Sequence, residues 1–122
     1  MARRVLDKNV DNIYLQEFPL FSDELRAAGR VDLIAEYDGE LAIIDFKTSS
    51  KVKKKEDIED YFLQETFYAL AFQERTGIPI NKIVTVMLVQ GGTDALIFIE
   101  SPSNWIEKLK ARIYDYHEAK KS

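Results

Sequence analysis

The sequence has 122 residues, of which 46% are hydrophobic, and this fits one folded domain with a single core. It contains no cysteine, which excludes a disulfide scaffold, a thiolate-bound zinc and a cysteine-held iron–sulfur cluster. The formal net charge of −4 argues against strong binding of a polyanion through the surface as a whole. No apolar run approaches the roughly 20 residues of a membrane span, and no signal peptide is recognisable, so we expect a cytoplasmic protein without a membrane partner.

The first predicted element is a strand at residues 13–21, after a polar segment without a clear period. Its apolar residues alternate loosely, and Pro19 predicts that it is an edge strand or contains a bulge, because proline cannot donate to a sheet ladder. Glu17 could add a carboxylate to a site, but an exposed position on the edge strand explains it more simply.

Residues 29–48 predict a β-hairpin. Asp38 and Gly39 separate two apolar runs, and both residues tolerate the positive φ that a tight hairpin turn requires. The second run, residues 41–46, is almost continuously apolar, as in a central strand that is buried on both faces.

A helix is predicted at residues 56–76. Gly77 and Pro79 follow it and form a typical C-terminal stop signal. Its apolar residues cover a wide face, which predicts that the helix packs directly on the sheet. These residues are Ile58, Phe62, Leu63, Phe67, Ala69, Leu70 and Phe72.

The rest of the chain predicts a pair of strands, at residues 83–90 and 95–100, and a last helix. Ser101 as N-cap and Pro102 at the first helical position predict where that helix begins. Its expected buried stripe is Ile106, Leu109, Ile113 and Tyr116, and His117 lies beside the stripe. The order of elements predicts an α/β fold with a mixed β-sheet flanked by helices.

Two carboxylates and a lysine are predicted to converge at one end of the hairpin. Asp45 and Lys47 are two residues apart on a strand and therefore share a face, whereas Phe46 points into the core. With a two-residue turn at residues 38–39, Asp32 lies opposite Asp45. Opposed carboxylates repel each other, and a divalent cation such as Mg²⁺ or Mn²⁺ would relieve that repulsion. A structural salt bridge between Lys47 and an aspartate explains the same residues.

Two further groups are candidates for contacts with a substrate. Gln64 and Tyr68 are four residues apart on the predicted helix, so their amide and phenol share a face and could orient a phosphate or a water, or simply cover the edge of the core. A lysine-rich segment follows the hairpin, and it is either a solvated loop or a rim that contacts phosphates. Its candidate substrate-binding residues are Lys51, Lys53 and Lys54.

These motifs resemble the PD-(D/E)xK nuclease superfamily in its RecB-like branch. The stretches GRVD and IIDFKT resemble the first two motifs, and Gln64 to Tyr68 resembles the Q-x-x-x-Y helix motif. The resemblance covers roughly residues 14–117 and is strongest to phage exonucleases and mitochondrial genome maintenance exonucleases.

The resemblance implies a restriction-endonuclease-like core over residues 1–122. The sequence departs from many such nucleases in two respects: the segment before Gly29 is shorter than their N-terminal helical part, and no histidine precedes the motifs. It implies a DNA exonuclease of repair, recombination or replication that prefers single-stranded ends and acts in the host cytoplasm if a phage encodes it. Asp32, Asp45 and the backbone carbonyl of Phe46 would hold Mg²⁺ or Mn²⁺, and Lys47, Gln64 and Tyr68 would act on the water or the phosphate. The alternative is a catalytically silent nucleic-acid-binding module with the same fold.

Overall fold

Five strands form one sheet, in the order β1-β2-β3-β4-β5, in a computed structural model that describes residues 10–50, 53–92 and 95–121. β3 and β4 run parallel, and the other neighbouring pairs are antiparallel. This mixed sheet and its helices confirm the predicted α/β class. The strands are β1 (Val10–Ser22), β2 (Ala27–Tyr37), β3 (Glu40–Ser49), β4 (Lys82–Val89) and β5 (Ala95–Glu100).

Helix α1 (Glu59–Thr76) makes the crossover between the parallel strands β3 and β4, which no tight turn could join. A short 3₁₀ turn (Lys55–Ile58) precedes it. The helix ends as predicted at Gly77, which has φ +77° and donates its N–H to the Gln73 carbonyl at 2.8 Å. Within the described ranges, no helix is long and apolar enough to cross a membrane.

The last helix begins later than predicted. Ser101 forms no side-chain cap, and a 3₁₀ turn (Pro102–Asn104) precedes helix α2 (Ile106–Lys121). The predicted buried stripe is also wrong at its end, because Tyr116 is 56% exposed. The physical reason is that α2 packs mainly on α1 rather than on the sheet, so a narrower apolar stripe is sufficient.

The hairpin of β2 and β3 has the predicted turn and register. Asp38 and Gly39 have φ +50° and +82°, and the ladder pairs Tyr37 with Glu40 and continues to Leu33 opposite Ile44. The ladder ends at that pair, so the expected pairing of the next two residues, Asp32 and Asp45, is not part of it.

β1 is the edge strand that Pro19 indicated, and it is longer than predicted. Its register against β2 shifts twice near its beginning, between residues 11 and 15. Glu17 has φ +47° and is exposed.

The sheet is packed on both faces. The larger hydrophobic cluster joins α1 and α2 to the sheet, with Phe62 and Ile43 among its fully buried side chains. The smaller cluster consists of strand residues, including Ile44 and Val84, and Phe46 packs against it. Phe46 therefore points away from the helices, as its place between Asp45 and Lys47 predicted.

Candidate active site

Asp45 and Lys47 lie at the carboxyl half of β3, side by side as their spacing predicts. The Lys47 Nζ atom is 3.1 Å from the Asp45 Oδ2 atom. Asp45 is only 3% exposed, whereas Lys47 is half-buried. The carboxylate is thus withdrawn from solvent, with the ammonium group at its outer side.

A hydrogen bond beyond the end of the ladder brings the Asp32 side chain close to Asp45. The Phe46 backbone N–H donates to Asp32 Oδ2 at 3.0 Å, just beyond the last ladder pair. This bond turns the Asp32 side chain toward β3, where it approaches the Asp45 carboxyl group closely enough to raise the pKa of Asp45. The two carboxyl groups are therefore neighbours, although the two residues do not form a ladder pair.

The electrostatics of Asp45 reflect this crowding. Burial and the hydrogen bond with Asp32 raise its pKa from 3.8 to about 7, and the Lys47 ammonium group only partly opposes the rise. Near neutral pH Asp45 therefore still holds a proton in part of the molecules, and a divalent cation could replace it. Mg²⁺ usually takes one or two carboxylates together with waters and phosphate. In the described ranges no group of three or more histidine, aspartate or glutamate residues forms a fuller ligand set.

Lys47 is held as a cation. Burial alone would lower its pKa, but the neighbouring acidic residues, above all Asp45, together outweigh this effect and the pKa is raised. Its Nζ atom also donates to Gln64 Oε1 at 3.1 Å and lies 4.9 Å from the centroid of the Tyr61 ring. Lys47 can therefore donate hydrogen bonds and stabilise negative charge, but it is not poised to accept a proton.

Gln64 and Tyr68 complete a chain of polar contacts from helix α1. Gln64 Nε2 donates to the Tyr68 hydroxyl oxygen at 3.1 Å, while its Oε1 accepts from Lys47. Gln64 is exposed, whereas Tyr68 is 2% exposed. Burial raises the pKa of Tyr68, so the phenol keeps its proton. The prediction that Gln64 and Tyr68 share one face of the helix is confirmed, and this face is directed at Asp45 and Lys47.

The sequence matches the family model of the PD-(D/E)XK nuclease superfamily over residues 3–117, nearly the whole chain. The chain belongs to this superfamily. Its nucleases generally use divalent metal ions, and the paired carboxyl groups fit that chemistry. The predicted membership in the RecB-like branch is finer than the match and stays a prediction.

A solved structure has the same fold. It is the crystal structure of a candidate exonuclease from Eubacterium rectale, with a TM-score of 0.64 and 14% sequence identity. The match covers 92% of this chain but 47% of that one, so this PD-(D/E)XK chain spans about half the length of its structural relative. The likeness supports the predicted restriction-endonuclease-like core. No curated protein matches the sequence.

Gly29 gives this PD-(D/E)XK site room for Tyr68. A Cβ atom at residue 29 would lie 2.8 Å from Tyr68 Cε1 and 3.1 Å from its hydroxyl oxygen. We therefore expect Gly29→Ala to displace the ring, to weaken the Gln64–Tyr68 hydrogen bond and to cost about 1–3 kcal/mol of stability. Urea unfolding measures the cost. If the contact is the cause, the cost should largely disappear in a Tyr68→Ala background, and an unchanged cost there would contradict the steric explanation.

Glu65 is a buried acid that the sequence analysis missed. It is fully buried, and the Thr85 hydroxyl donates to its Oε2 atom at 2.5 Å. Thr85 is the register partner of Asp45 on β4, which places Glu65 behind the site. Burial, with the nearby aspartates, raises the pKa of Glu65 well above its ordinary value, so the fold favours the protonated form of this carboxyl group. In the sequence, the sign that Glu65 is buried was its position in the apolar stripe between Phe62 and Ala69.

None of the other predicted candidates within the described ranges contacts these residues. Lys51 falls outside the described residues, and Lys53 and Lys54 precede the 3₁₀ turn without a contact to the site in the described ranges. Glu17 is exposed on the edge strand. His117 lies within 3.3 Å of the Leu25 carbonyl oxygen, at a different cleft.

Proposed function

We propose that the protein is a metal-dependent deoxyribonuclease that hydrolyses phosphodiester bonds, with exonuclease action on single-stranded ends as its preferred mode. The observation that carries this proposal is the position of the Asp32 carboxyl group beside that of the buried Asp45, because the ionised pair would repel itself without a cation. Membership of the nuclease superfamily supports it, as does the structural likeness to the candidate exonuclease. A RecB-like role in DNA repair, recombination or replication is part of the same proposal.

The metal ligands would be the carboxylates of Asp32 and Asp45 and the backbone carbonyl of Phe46. The Phe46 N–H points at Asp32, and the carbonyl of a strand residue points to the same side as its N–H. A bound Mg²⁺ or Mn²⁺ would act as a Lewis acid that neutralises charge on the scissile phosphate. Binding would also displace the proton that the raised pKa of Asp45 retains near neutral pH.

The side chains beside the metal ligands would act on the phosphate and the attacking water. Lys47 stays charged, so it would stabilise the negative charge of the transition state and orient the water by hydrogen bonding. Gln64 offers an amide, and Tyr68 offers a protonated phenol, which together would hold a phosphate oxygen or that water. Further along the DNA strand, the backbone phosphates would be contacted by Lys51, Lys53 and Lys54.

The test is cleavage of DNA that carries a label at one end, in single- and double-stranded form, with Mn²⁺ or with EDTA. We expect Mn²⁺-dependent cleavage, and single nucleotides released from single strands would identify exonuclease action. Asp45→Asn should remove it. If the wild type binds Mn²⁺ and DNA but cleaves neither substrate, the silent-module alternative is correct. If it binds neither, Asp45 and Lys47 form a structural salt bridge.

Gln64→Ala is expected to lower turnover with little loss of stability. The side chain is exposed, so its removal should change the free energy of unfolding by less than about 0.5 kcal/mol. Its bonds to Lys47 and Tyr68 should nevertheless matter for catalysis. Gln73→Ala, on the exposed surface of the same helix, is the matched control. A variant that unfolds more easily but turns over normally would show that Gln64 only covers the core.

A further inference from the structure

Apart from the candidate active site, a cleft of about 500 Å³ opens between the end of α2 and the beginning of β2. Its polar lining is entirely basic or aromatic, and no acidic side chain contributes to it. In a chain of net charge −4, this local excess of positive charge does not follow from composition. We call it the basic cleft, defined by Arg26, Arg112, Tyr116, His117 and Lys120.

Its cations are only partly neutralised. Arg112 forms a salt bridge with Asp60 at the edge of the cleft. Arg26 and Lys120 are exposed, and neither takes part in a salt bridge with another residue of the described ranges. Two positive charges are therefore available to an incoming anion.

Arg26 adopts a conformation that arginine rarely takes. Its φ is +55°, in the turn just before β2, where glycine or asparagine would be less strained. Strained backbone of this kind persists when the rest of the structure holds it, and it collects at binding sites. The turn thus places a cation at the edge of the cleft.

Tyr116 adds an aromatic surface to this charge. Its ring is 56% exposed, packs edge-on to His117 with centroids 5.5 Å apart, and has Lys120 Nζ 4.7 Å from its centroid. Proteins that bind single-stranded nucleic acid combine a positive groove with exposed aromatic rings on which bases stack. The basic cleft has both features.

Two elements connect the surroundings of the cleft with the candidate active site. On β2, Ala28 lines the cleft and precedes Gly29, which contacts Tyr68. On α1, Asp60 pairs with Arg112 and lies one turn before Gln64 on the same face. From Ala28 to Asp32 the strand advances about 13 Å, or about four nucleotides of stacked strand.

We propose that the basic cleft binds the single-stranded DNA that leads away from the Asp32–Asp45 site. Arg26 and Lys120 contact backbone phosphates, and Tyr116 stacks on a base. This inference rests on the proposed function for its substrate, but it concerns binding rather than cleavage. The two can therefore fail separately.

The test is fluorescence anisotropy of a labelled oligothymidylate in EDTA, where no cleavage occurs. Tyr116→Ala should weaken binding about tenfold, as expected for the loss of one stacked base. The pair Arg26→Gly and Lys120→Gln should weaken it further and reduce the slope of log K against log salt by about 1.4, or about 0.7 for each lost phosphate contact. Arg26→Gly also relieves the positive φ, so the variant should fold at least as stably as the wild type. Lys110→Gln removes a charge from the same helix outside the cleft and is the matched control.

Cleavage measured on the same variants separates the two proposals. Cleft variants should raise KM and leave kcat unchanged. If the wild type cleaves DNA while the cleft variants bind like Lys110→Gln, the cleft proposal is overturned and the nuclease stands. If the wild type binds through the cleft but never cleaves, the nuclease proposal falls and the cleft stands. If polyglutamate displaced the labelled oligothymidylate as well as unlabelled oligothymidylate does, the cleft proposal would be overturned. Such a result would show a general anion site that does not need a nucleobase stacked on Tyr116.

Discussion

Lys47→Ala is expected to reduce DNA cleavage by about 10² to 10⁴, the usual range for a group that orients water or stabilises transition-state charge. Binding of Mn²⁺ should persist or tighten, because the ammonium group 3.1 Å from Asp45 opposes a second cation there. Single-turnover cleavage with Mn²⁺, together with calorimetric titration of the ion, measures both effects on one preparation.

Lys82→Ala is the matched control for that experiment. Lys82 is similarly buried, with 18% of its side chain exposed against 25% for Lys47, and it pairs with Glu40 at 3.2 Å. Its loss should leave cleavage unchanged. If Lys47→Ala cleaves like the wild type, Lys47 has no part in the chemistry. If it only lowers stability, as Lys82→Ala should, Lys47 is a salt-bridge partner.

Asp45→Asn is expected to stabilise the metal-free protein at pH 8. The pKa of Asp45 is raised from 3.8 to about 7 in the folded state, so the folded protein holds this proton more tightly than the unfolded chain does. The stability that the proton provides is complete below pH 4 and is lost as the pH rises to about 7. At about 1.4 kcal/mol for each tenfold change in proton affinity, the loss is on the order of 4 kcal/mol.

Urea unfolding in EDTA at pH 4, 6 and 8 measures this effect. The difference between the wild type and Asp45→Asn should grow with pH across this window, which isolates Asp45 from Glu65, whose raised pKa acts in the same direction. Asp38→Asn is the control, because the exposed turn accepts asparagine. A difference that stays constant with pH would show that Asp45 is already ionised at pH 4.

The hairpin shows how much of the site the sequence contains. Asp38 and Gly39 determine the turn, the turn determines the register, and alternation along β3 places Asp45 and Lys47 together. Helical spacing likewise places Gln64 beside Tyr68. These are local rules, so they need no knowledge of the tertiary structure.

Features that depend on packing were not accessible in this way. The ladder ends at Leu33, and the Asp32 side chain then accepts a hydrogen bond from the Phe46 N–H. No periodicity in the sequence indicates this bond. The spacing of Tyr116 fits the apolar stripe and therefore predicted a buried position. The residue is exposed because α2 packs mainly on α1. Glu65 was overlooked because a charged residue in a buried stripe needs a partner, here Thr85, that is distant in sequence.

The central claim is that Asp32 and Asp45 form a divalent metal site. Calorimetric titration of Mn²⁺ at pH 8 into the wild type and into Asp32→Asn/Asp45→Asn tests it most directly, since it does not depend on DNA or on turnover. We expect saturable binding to the wild type, accompanied by a rise in Tm as ligation stabilises the fold, and neither effect in the variant. A wild type without binding heat or Tm shift at millimolar Mn²⁺, or a variant that binds equally well, would contradict the claim.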